Sequence, residues 1–407
     1  MTTPVLLALG GAAFESAVVV GLQRSLRDVQ IVRRCVDVPD LLAAASTGQA
    51  RAVLVSAATP RLDADLVAAL RARRVEPIGL VADHRSGTAE QHRLHQIGVR
   101  AVLTAEPEGL AGQVVAALER AATVVPSDDD VAEVDVDGLR TGVGRVVAVW
   151  GPTGAPGRST LALALAAELA VAGEPTLLVD ADVYGGALAQ MLAMMDESSG
   201  VLAAARSAKH GVLGPDELAR HARGVGSGLR VLTGLPRADR WPELSEATVY
   251  GLLVAARALT SQVVVDCGFG IEADEELSFD TAAPRRNGAT LRVLEEADRV
   301  LAVGAADPVG LARLARGVVE LRSAVPDADV QVVLNRWRSA LGWSRDEVTS
   351  TVRRLTGMTD IVVLPEDRAA CDACLLHGRT LAEATPRSRL RLAVRDLAAR
   401  IATAAGA

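Results

Sequence analysis

Short apolar runs recur along this chain, separated by longer stretches in which apolar residues return at helical spacing. In the first third the runs are Val5–Leu9, Val29–Arg33, Ala52–Ser56, Ile78–Val81 and Ala101–Thr104, with amphipathic stretches such as Ala64–Arg73 and Glu90–Ile97 between them. Apolar runs that alternate with helical patterns predict the strands and crossover helices of a doubly wound parallel sheet. From Arg145 the alternation resumes, with candidate strands at Val146–Trp150, Thr176–Val179, Val263–Val265, Val300–Val303, Val330–Leu334 and Ile361–Val363. Between the two series, residues 122–143 show no apolar period and carry Asp128, Asp129, Asp130, Glu133, Asp135 and Asp137. That segment reads as a solvated acidic linker. The expected organisation is therefore α/β throughout, with one doubly wound domain at 1–121 and a second at 144–407; no internal repeat is visible.

Composition sharpens this picture. Of the 407 residues 50% are apolar but only four are Trp, two Tyr and three Phe, so the cores must be built from Ala, Val and Leu. Parallel sheets covered by helices suit that palette better than a sandwich does. A net charge of −7 argues against a broad nucleic-acid surface. The cysteines Cys35, Cys267, Cys371 and Cys374 are too few and too scattered for a disulfide framework. No basic region precedes the apolar run at Val5, and no stretch approaches the ~20 apolar residues of a membrane span, so a cytoplasmic protein is expected.

The densest chemistry lies at the first strand of the second series. Val146–Trp150 runs into Gly151-Pro152-Thr153-Gly154-Ala155-Pro156-Gly157-Arg158-Ser159-Thr160 and then into the helical Leu161-Ala162-Leu163. Strand, glycine-rich turn and helix start are the layout of a phosphate-binding loop, in which backbone N–H groups cradle phosphates, a Lys reaches their oxygens and a hydroxyl holds Mg²⁺. Gly157, Ser159 and Thr160 fit the pattern, whereas Pro152 replaces its first Gly and Arg158 its Lys. Further on, Leu177-Leu178-Val179-Asp180-Ala181-Asp182 and Val263-Val264-Val265-Asp266 place carboxylates at strand ends, where open α/β sheets bind ligands. Asn335-Arg336 and Pro365-Glu366-Asp367 close two later strands.

This series resembles the MinD/ParA family of ATPases with a deviant phosphate loop, over about residues 145–400. The resemblance implies a P-loop NTPase fold that takes ATP and Mg²⁺. Gly154, Ala155, Gly157, Arg158, Ser159 and Thr160 would then line the phosphates. Ser159, Asp180 and Asp266 would serve the metal, partly through water, and Asp182 would position an attacking water with Arg158 as the catalytic cation. Asn335, Arg336, Pro365 and Asp367 would hold the base. The departures fall on the lysines: Thr153 stands at the family's signature Lys and Arg158 at the phosphate-loop Lys. Arg keeps its charge and can bind phosphate with two donors, but its planar fork is bulkier and differently aimed. Pro152 and Pro156 also remove two backbone donors. Slow ATP hydrolysis, or none, is the expected consequence.

The order of the first domain resembles a receiver (flavodoxin-like) domain, but Gly10 and Gly11 stand where its acidic pair would be, Ser56 near its phosphorylatable Asp, and Thr104-Ala105 where a Lys would be. It reads as a docking or dimerisation module, or as a stabilising appendage. A receiver-like domain without its Asp, followed by a divergent MinD/ParA domain, resembles the CpaE/TadZ group of pilus-assembly proteins and the septum-site-determining-like branch. That implies a homodimer with protein partners from pilus assembly or cell division, placed at the pole, the septum or the inner face of the membrane. Two other readings stand beside it: an active ParA-like ATPase that partitions DNA, using Arg285, Arg286, Arg336, Arg338, Arg353 and Arg354, and a scaffold whose loop binds nothing. DNA binding is not expected from the acidic chain, nor is zinc from Cys371, Cys374 and His377, which read as helix packing. The segment Asp274–Arg286 reads either as an exposed insertion or as a switch or partner loop. The amphipathic stretch Arg387–Ala404 reads as a core helix, leaving membrane contact at most peripheral.

Overall fold

The computed structural model describes residues 2–24, 28–82, 88–123, 144–194, 198–226, 228–272 and 285–403. The chain divides into two compact units, one ending before the second strand series and also holding Ser207–Leu213, the other formed by the remainder. The first expected helix boundary shifts slightly: the helix closing the first unit runs to Thr123, inside the expected linker. Residues 124–143 lie outside the described residues, so the acidic linker is not among them.

The first unit alternates β1 (Thr3–Ala8), α1 (Glu15–Arg24), β2 (Val29–Arg34), α2 (Val38–Ser46), β3 (Ala52–Ser56), α3 (Ala64–Ala72), β4 (Glu76–Val81), α4 (Thr88–Gln96), β5 (Ala101–Thr104) and α5 (Leu110–Thr123). Its parallel sheet has the order β2-β1-β3-β4-β5, the flavodoxin-like doubly wound arrangement. Helix starts follow from local chemistry: Asp37 and Asp63 cap α2 and α3 by accepting the N–H groups of Asp40 and Leu66 at 2.8 and 2.9 Å. Val5, Leu7, Leu54, Ile78 and Leu80 form the sheet side of the core, with Leu110, Val114 and Leu118 of α5 packed on it. At the carboxyl ends of β1 and β3 the Ser56 hydroxyl donates to the Leu9 carbonyl at 2.7 Å, and Thr59 donates to that of Ala8. Both side chains are buried, so the corner where a receiver would hold its acids is closed by neutral hydrogen bonds.

The second unit contains β6 (Arg145–Trp150), α6 (Arg158–Val171), β7 (Thr176–Ala181), α7 (Leu188–Met191), α8 (Gly200–Lys209), α9 (Pro215–His221), β8 (Arg223–Val225), β9 (Leu229–Leu232), α10 (Glu246–Leu259), β10 (Gln262–Cys267), α11 (Gly288–Glu296), β11 (Arg299–Ala305), α12 (Pro308–Ala324), β12 (Val330–Trp337), α13 (Arg345–Thr356), β13 (Ile361–Pro365), α14 (Arg368–His377), α15 (Leu381–Ala384) and α16 (Arg389–Thr403). The sheet order is β13-β12-β11-β6-β10-β7-β9-β8, parallel except where β8 runs against β9. Six of these eight strands match the apolar runs. The exceptions, β8 and β9, make a short edge hairpin with Gly226 and Gly228 between its strands and Arg223 and Arg230 exposed on it. β8 is only three residues with one apolar, and β9 only four with Arg230 interrupting the apolar ones, so neither registers as a run.

The position of β6 next to β10 and β11, with β7 beyond β10, sets the loop after β6 beside the ends of β7 and β10. Helix α6, which follows that loop, is buried from Leu161 to Leu169 and touches β7, β10 and α16. Its alanines permit that close approach. Leu390, Val394, Leu397 and Ile401 of α16 are buried in the same core, so the apolar face of the C-terminal stretch is consumed by packing. Among the described residues no helix is long and apolar enough to cross a membrane.

One buried charge joins the two helices. Glu168 of α6 is only 2% exposed and accepts from Arg391 of α16 at 2.7 Å through Nε, with a longer contact of 3.4 Å through Nη2. Removing one partner of such a pair strands the other charge in the core. Arg391→Ala should therefore destabilise the protein by about 3–5 kcal/mol in urea unfolding, whereas Arg395→Ala, whose side chain is exposed, should change it by under ~0.5 kcal/mol.

Candidate functional site

The loop between β6 and α6 gets its shape from two glycines in the left-handed region, Gly154 at φ 76° and Gly157 at φ 85°. Gly157 caps α6 without any side-chain acceptor, so the first N–H groups of the helix have no capping partner. An N-terminus in that condition favours anions. Gly157 also meets Asn335: a Cβ there would overlap its Nδ2, and the same amide donates to the Pro156 carbonyl at 2.9 Å. Ala155 N–H is spent inside the loop, on the Pro152 carbonyl at 2.9 Å.

Arg158, the first residue of α6, points its guanidinium back across the loop. Nη1 donates to the Gly151 carbonyl at 3.0 Å, Nη2 lies 3.7 Å from the Asp182 carboxylate, and the group sits 6.0 Å above the Phe269 ring. Asp182 in turn accepts from the N–H groups of Tyr184 and Gly185 at 2.8 and 3.3 Å. Arg158 is thus the one charged partner that this carboxylate has among the described residues.

Asp180 and Asp266 are register partners across β7 and β10 and are both 1% exposed. Asp180 accepts from Asp182 N–H and Leu188 N–H at 3.3 and 3.2 Å. Gly186 and Gly234 close over it; a Cβ on either would stand 2.7 or 2.6 Å from its carboxyl group. Burial, aided by the charge of Asp182 and opposed by the bond from Leu188, raises its pKa to about 7. Burial, with Asp180 as neighbour, likewise pushes Asp266 well above the usual carboxylate range. Neither oxygen of Asp266 meets a hydrogen-bond donor. The Ser159 hydroxyl eases its charge without reaching hydrogen-bond geometry. Among the described residues no three of His, Cys, Asp and Glu converge closely enough to hold a metal by themselves. A hydrated cation shared between Asp266, Ser159 and a bound phosphate would fit the two orphaned oxygens.

On the other side of α6 lies a cavity of about 410 Å³, lined by Gly157, Thr160, Asn335, Arg336, Pro365 and Asp367 over an apolar floor that includes Leu161 and Leu364. Its rim is shaped by an irregularity between β12 and β13 after Leu334, where Arg336 takes the left-handed conformation at φ 59°. Such a backbone for a non-glycine residue costs roughly 1–3 kcal/mol and is typical of ligand clamps. Asp367 caps α14 by accepting from Ala370 N–H at 3.2 Å. The structure therefore gathers the phosphate-loop residues, the three aspartates and the Asn335 and Pro365–Asp367 turns around the N-terminal half of α6.

Other sequence signals fall elsewhere. Cys371 and Cys374 pack half-buried against the core, and burial raises both thiols. Among the arginines considered for DNA, Arg285 pairs with Glu246 at 2.6 Å, Arg338 lies 3.7 Å from Glu366, and Arg286 stacks 4.1 Å over the Tyr184 ring. Most of Asp274–Arg286 lies outside the described residues. Sequence reasoning missed the aromatic link beside the site: Tyr184 stacks on Phe269 at 4.4 Å, its hydroxyl donates to Asn287 at 2.6 Å, and Trp150 donates to the Phe269 carbonyl at 3.2 Å. Rare aromatics that follow strand-ending aspartates were the available signal. It also missed the glycine pair around Asp180, for which the sequence holds no spacing rule.

No protein-family model matches the chain, and no curated protein matches it. Solved structures do. A ParA family ATPase from Chlorobium tepidum superposes with a TM-score of 0.52 at 19% identity, covering 63% of this chain and 98% of the other. The cell division ATPase MinD of Pyrococcus furiosus gives 0.50 at 18%, covering 64% and 99%. The likeness is one of fold: a mixed α/β chain whose second unit has the P-loop NTPase architecture of the ParA and MinD ATPases, preceded by a further α/β unit.

An acid whose pKa is raised by folding favours the fold while it is protonated. The contribution of Asp180 is therefore complete below pH ~4 and is lost as pH rises through about 7. In nucleotide-free, Mg²⁺-free buffer the urea midpoint should fall between pH 5.5 and 8. Added Mg²⁺ should restore part of it at pH 8 and little at pH 5.5, because only the ionised pair attracts the cation. A midpoint flat across that range would show that the buried aspartates do not titrate there.

Proposed function

We propose that this chain is a nucleotide-responsive positioning protein that binds ATP with Mg²⁺ on the loop Gly154–Thr160 and hydrolyses it slowly or not at all. The observation that carries the reading is the buried, unpartnered carboxylate of Asp266 beside Ser159 and Arg158, at the uncapped start of α6. A buried carboxylate that meets no donor is costly, and a bound cation would offset that cost.

Under this reading the N–H groups from Gly157 to Thr160 receive the phosphates, and Arg158 leaves Asp182 to meet them. Ser159 and Asp266 would hold Mg²⁺, in part through water, with Asp180 behind them. When bound, the ion would supply positive charge that offsets that of the phosphates. Asp182, once released, is the group placed to orient a water. Asn335, Arg336, Pro365 and Asp367 would take the base in the cavity beside them. Slow turnover follows from the residues present: Thr153 brings no charge, and Arg158 must first surrender two existing contacts. Electrostatic stabilisation is most of phosphoryl-transfer catalysis, so a weakened cation set lowers the rate more than the binding.

The fold is shared with a ParA family ATPase and a cell division ATPase, and the sequence resemblance extends to pilus-assembly and septum-site proteins. We take a nucleotide-dependent homodimer that recruits a protein partner at the pole or septum, from the cytoplasm or the membrane's inner face, as the biological setting. Isothermal titration of the full chain with Mg·ATP tests the reading. Micromolar binding is expected, with Arg158→Ala weakening it at least ~tenfold and Asp266→Asn abolishing its dependence on Mg²⁺. Steady-state release of phosphate should stay well below ~1 s⁻¹, the low end of ordinary enzyme turnover. An unmutated protein that binds no ATP would leave the scaffold reading in place, and a salt-sensitive DNA shift with ATP would favour the partitioning one.

A further inference from the structure

The loop has lost lysines, and the chain contains a single one, Lys209, far from it in sequence. Any second cation at the loop must be an arginine. Arg313 of α12 meets that requirement: a Cβ on Gly154 would fall on its Nη1 and lie 3.2 Å from its Cζ. Gly154 is one of the two left-handed glycines of the loop, next to Thr153, and the guanidinium occupies the space that its missing side chain leaves open. The placement is held by packing. Gly317, one turn further along α12, leaves room for the Pro152 and Trp150 side chains, since a Cβ there would stand 2.9 Å from Pro152 and 3.2 Å from Trp150, and this seats the helix against the loop. The helix itself starts firmly, with Asp307 accepting from Gly310 N–H at 2.8 Å and Pro308 in its first turn. Arg313 is exposed and makes no ion pair with any described residue. Glu272, Glu320 and Arg316 line the same recess of about 210 Å³, yet neither carboxylate comes within ion-pair distance of Arg313.

A guanidinium held over the loop without an acidic partner is a cation with unused donors, and a planar fork of donors matches phosphate oxygens. We propose that Arg313 is a second phosphate-directed cation of this site, supplied by α12 of the same chain, that binds the terminal phosphates of a nucleotide. The proposal rests on the nucleotide reading above. It gives the substitution Pro152 a positive role, since the ring is what packs α12 against the loop.

Titration calorimetry of the full chain with Mg·ATP and with adenosine, at two salt concentrations, separates a charge role from packing. Arg313→Ala should lose at least ~tenfold in ATP affinity, leave adenosine affinity unchanged and flatten the salt dependence of ATP binding. Arg313→Lys should recover part of the loss and Arg313→Gln none, while Arg316→Ala should match the unmutated protein. ATP affinity within ~twofold of the original in Arg313→Ala, or equal behaviour of the Lys and Gln variants, would overturn the proposal; if Arg158→Ala still weakens binding at least ~tenfold, the nucleotide reading survives it. Absence of ATP binding by the unmutated chain would overturn both.

Discussion

Three carboxylates at the carboxyl ends of two adjacent strands, in a region almost free of water, set the terms for everything around the loop. Asp180, Asp182 and Asp266 are 1%, 7% and 1% exposed, and among the described residues one guanidinium, that of Arg158, reaches them. Buried like charges cannot all stay ionised without compensation, so the fold distributes the burden. Asp182 takes the cation and two backbone donors. Asp180 takes backbone donors and shifts toward protonation. Asp266 also shifts toward protonation but meets no hydrogen-bond donor, so its carboxyl group is the one left for something outside the protein.

That division explains why the site is coupled to its surroundings. Arg158 cannot meet an incoming anion without leaving Asp182, whose other bonds run to Tyr184 and Gly185. Tyr184 stacks on Phe269 and bonds Asn287, and Arg286 lies over its ring. The ends of β7 and β10 are thereby tied through two aromatic rings in a chain that contains very few. A change at Arg158 meets packed, discrete contacts rather than a soft surface, which is the physical condition for a two-state response.

Much of this was legible in the sequence because it depends on periodicity and on position along strands. Buried parallel strands such as Val146–Trp150 and Val263–Val265 advertise themselves as apolar runs, and an aspartate that ends such a run has its place fixed by the strand. The hairpin β8–β9 was not legible, since β8 is an edge strand of three residues and β9, although it pairs with both β7 and β8, is only four residues long with Arg230 interrupting its apolar residues. The glycines around Asp180 were equally silent: Gly186 and Gly234 are far apart in the chain, and their role is to lack a side chain where the fold brings them to one carboxyl group. Arg313 belongs to the same class. A helical arginine is ordinarily a solvated one, and only the seating of Pro152 on Gly317 places it over the loop.

The substitutions in the loop therefore do not act singly. Pro152 removes a donor from the cradle, which alone would weaken an anion site, yet its ring provides the contact that brings α12 close. Thr153 removes a charge, and Arg158 converts a compact ammonium into a fork that can hold a carboxylate and a carbonyl at once. One change removes a backbone donor, one a charge, and one re-aims a charge, while none falls on Asp266, Ser159 or the cavity beside Asn335. A site altered by neutral drift would be expected to lose its costliest element first, and a buried carboxylate without a partner is the costliest here. An unpartnered buried carboxylate beside the guanidinium of Arg158 is a local imbalance of charge that a bound cation would relieve.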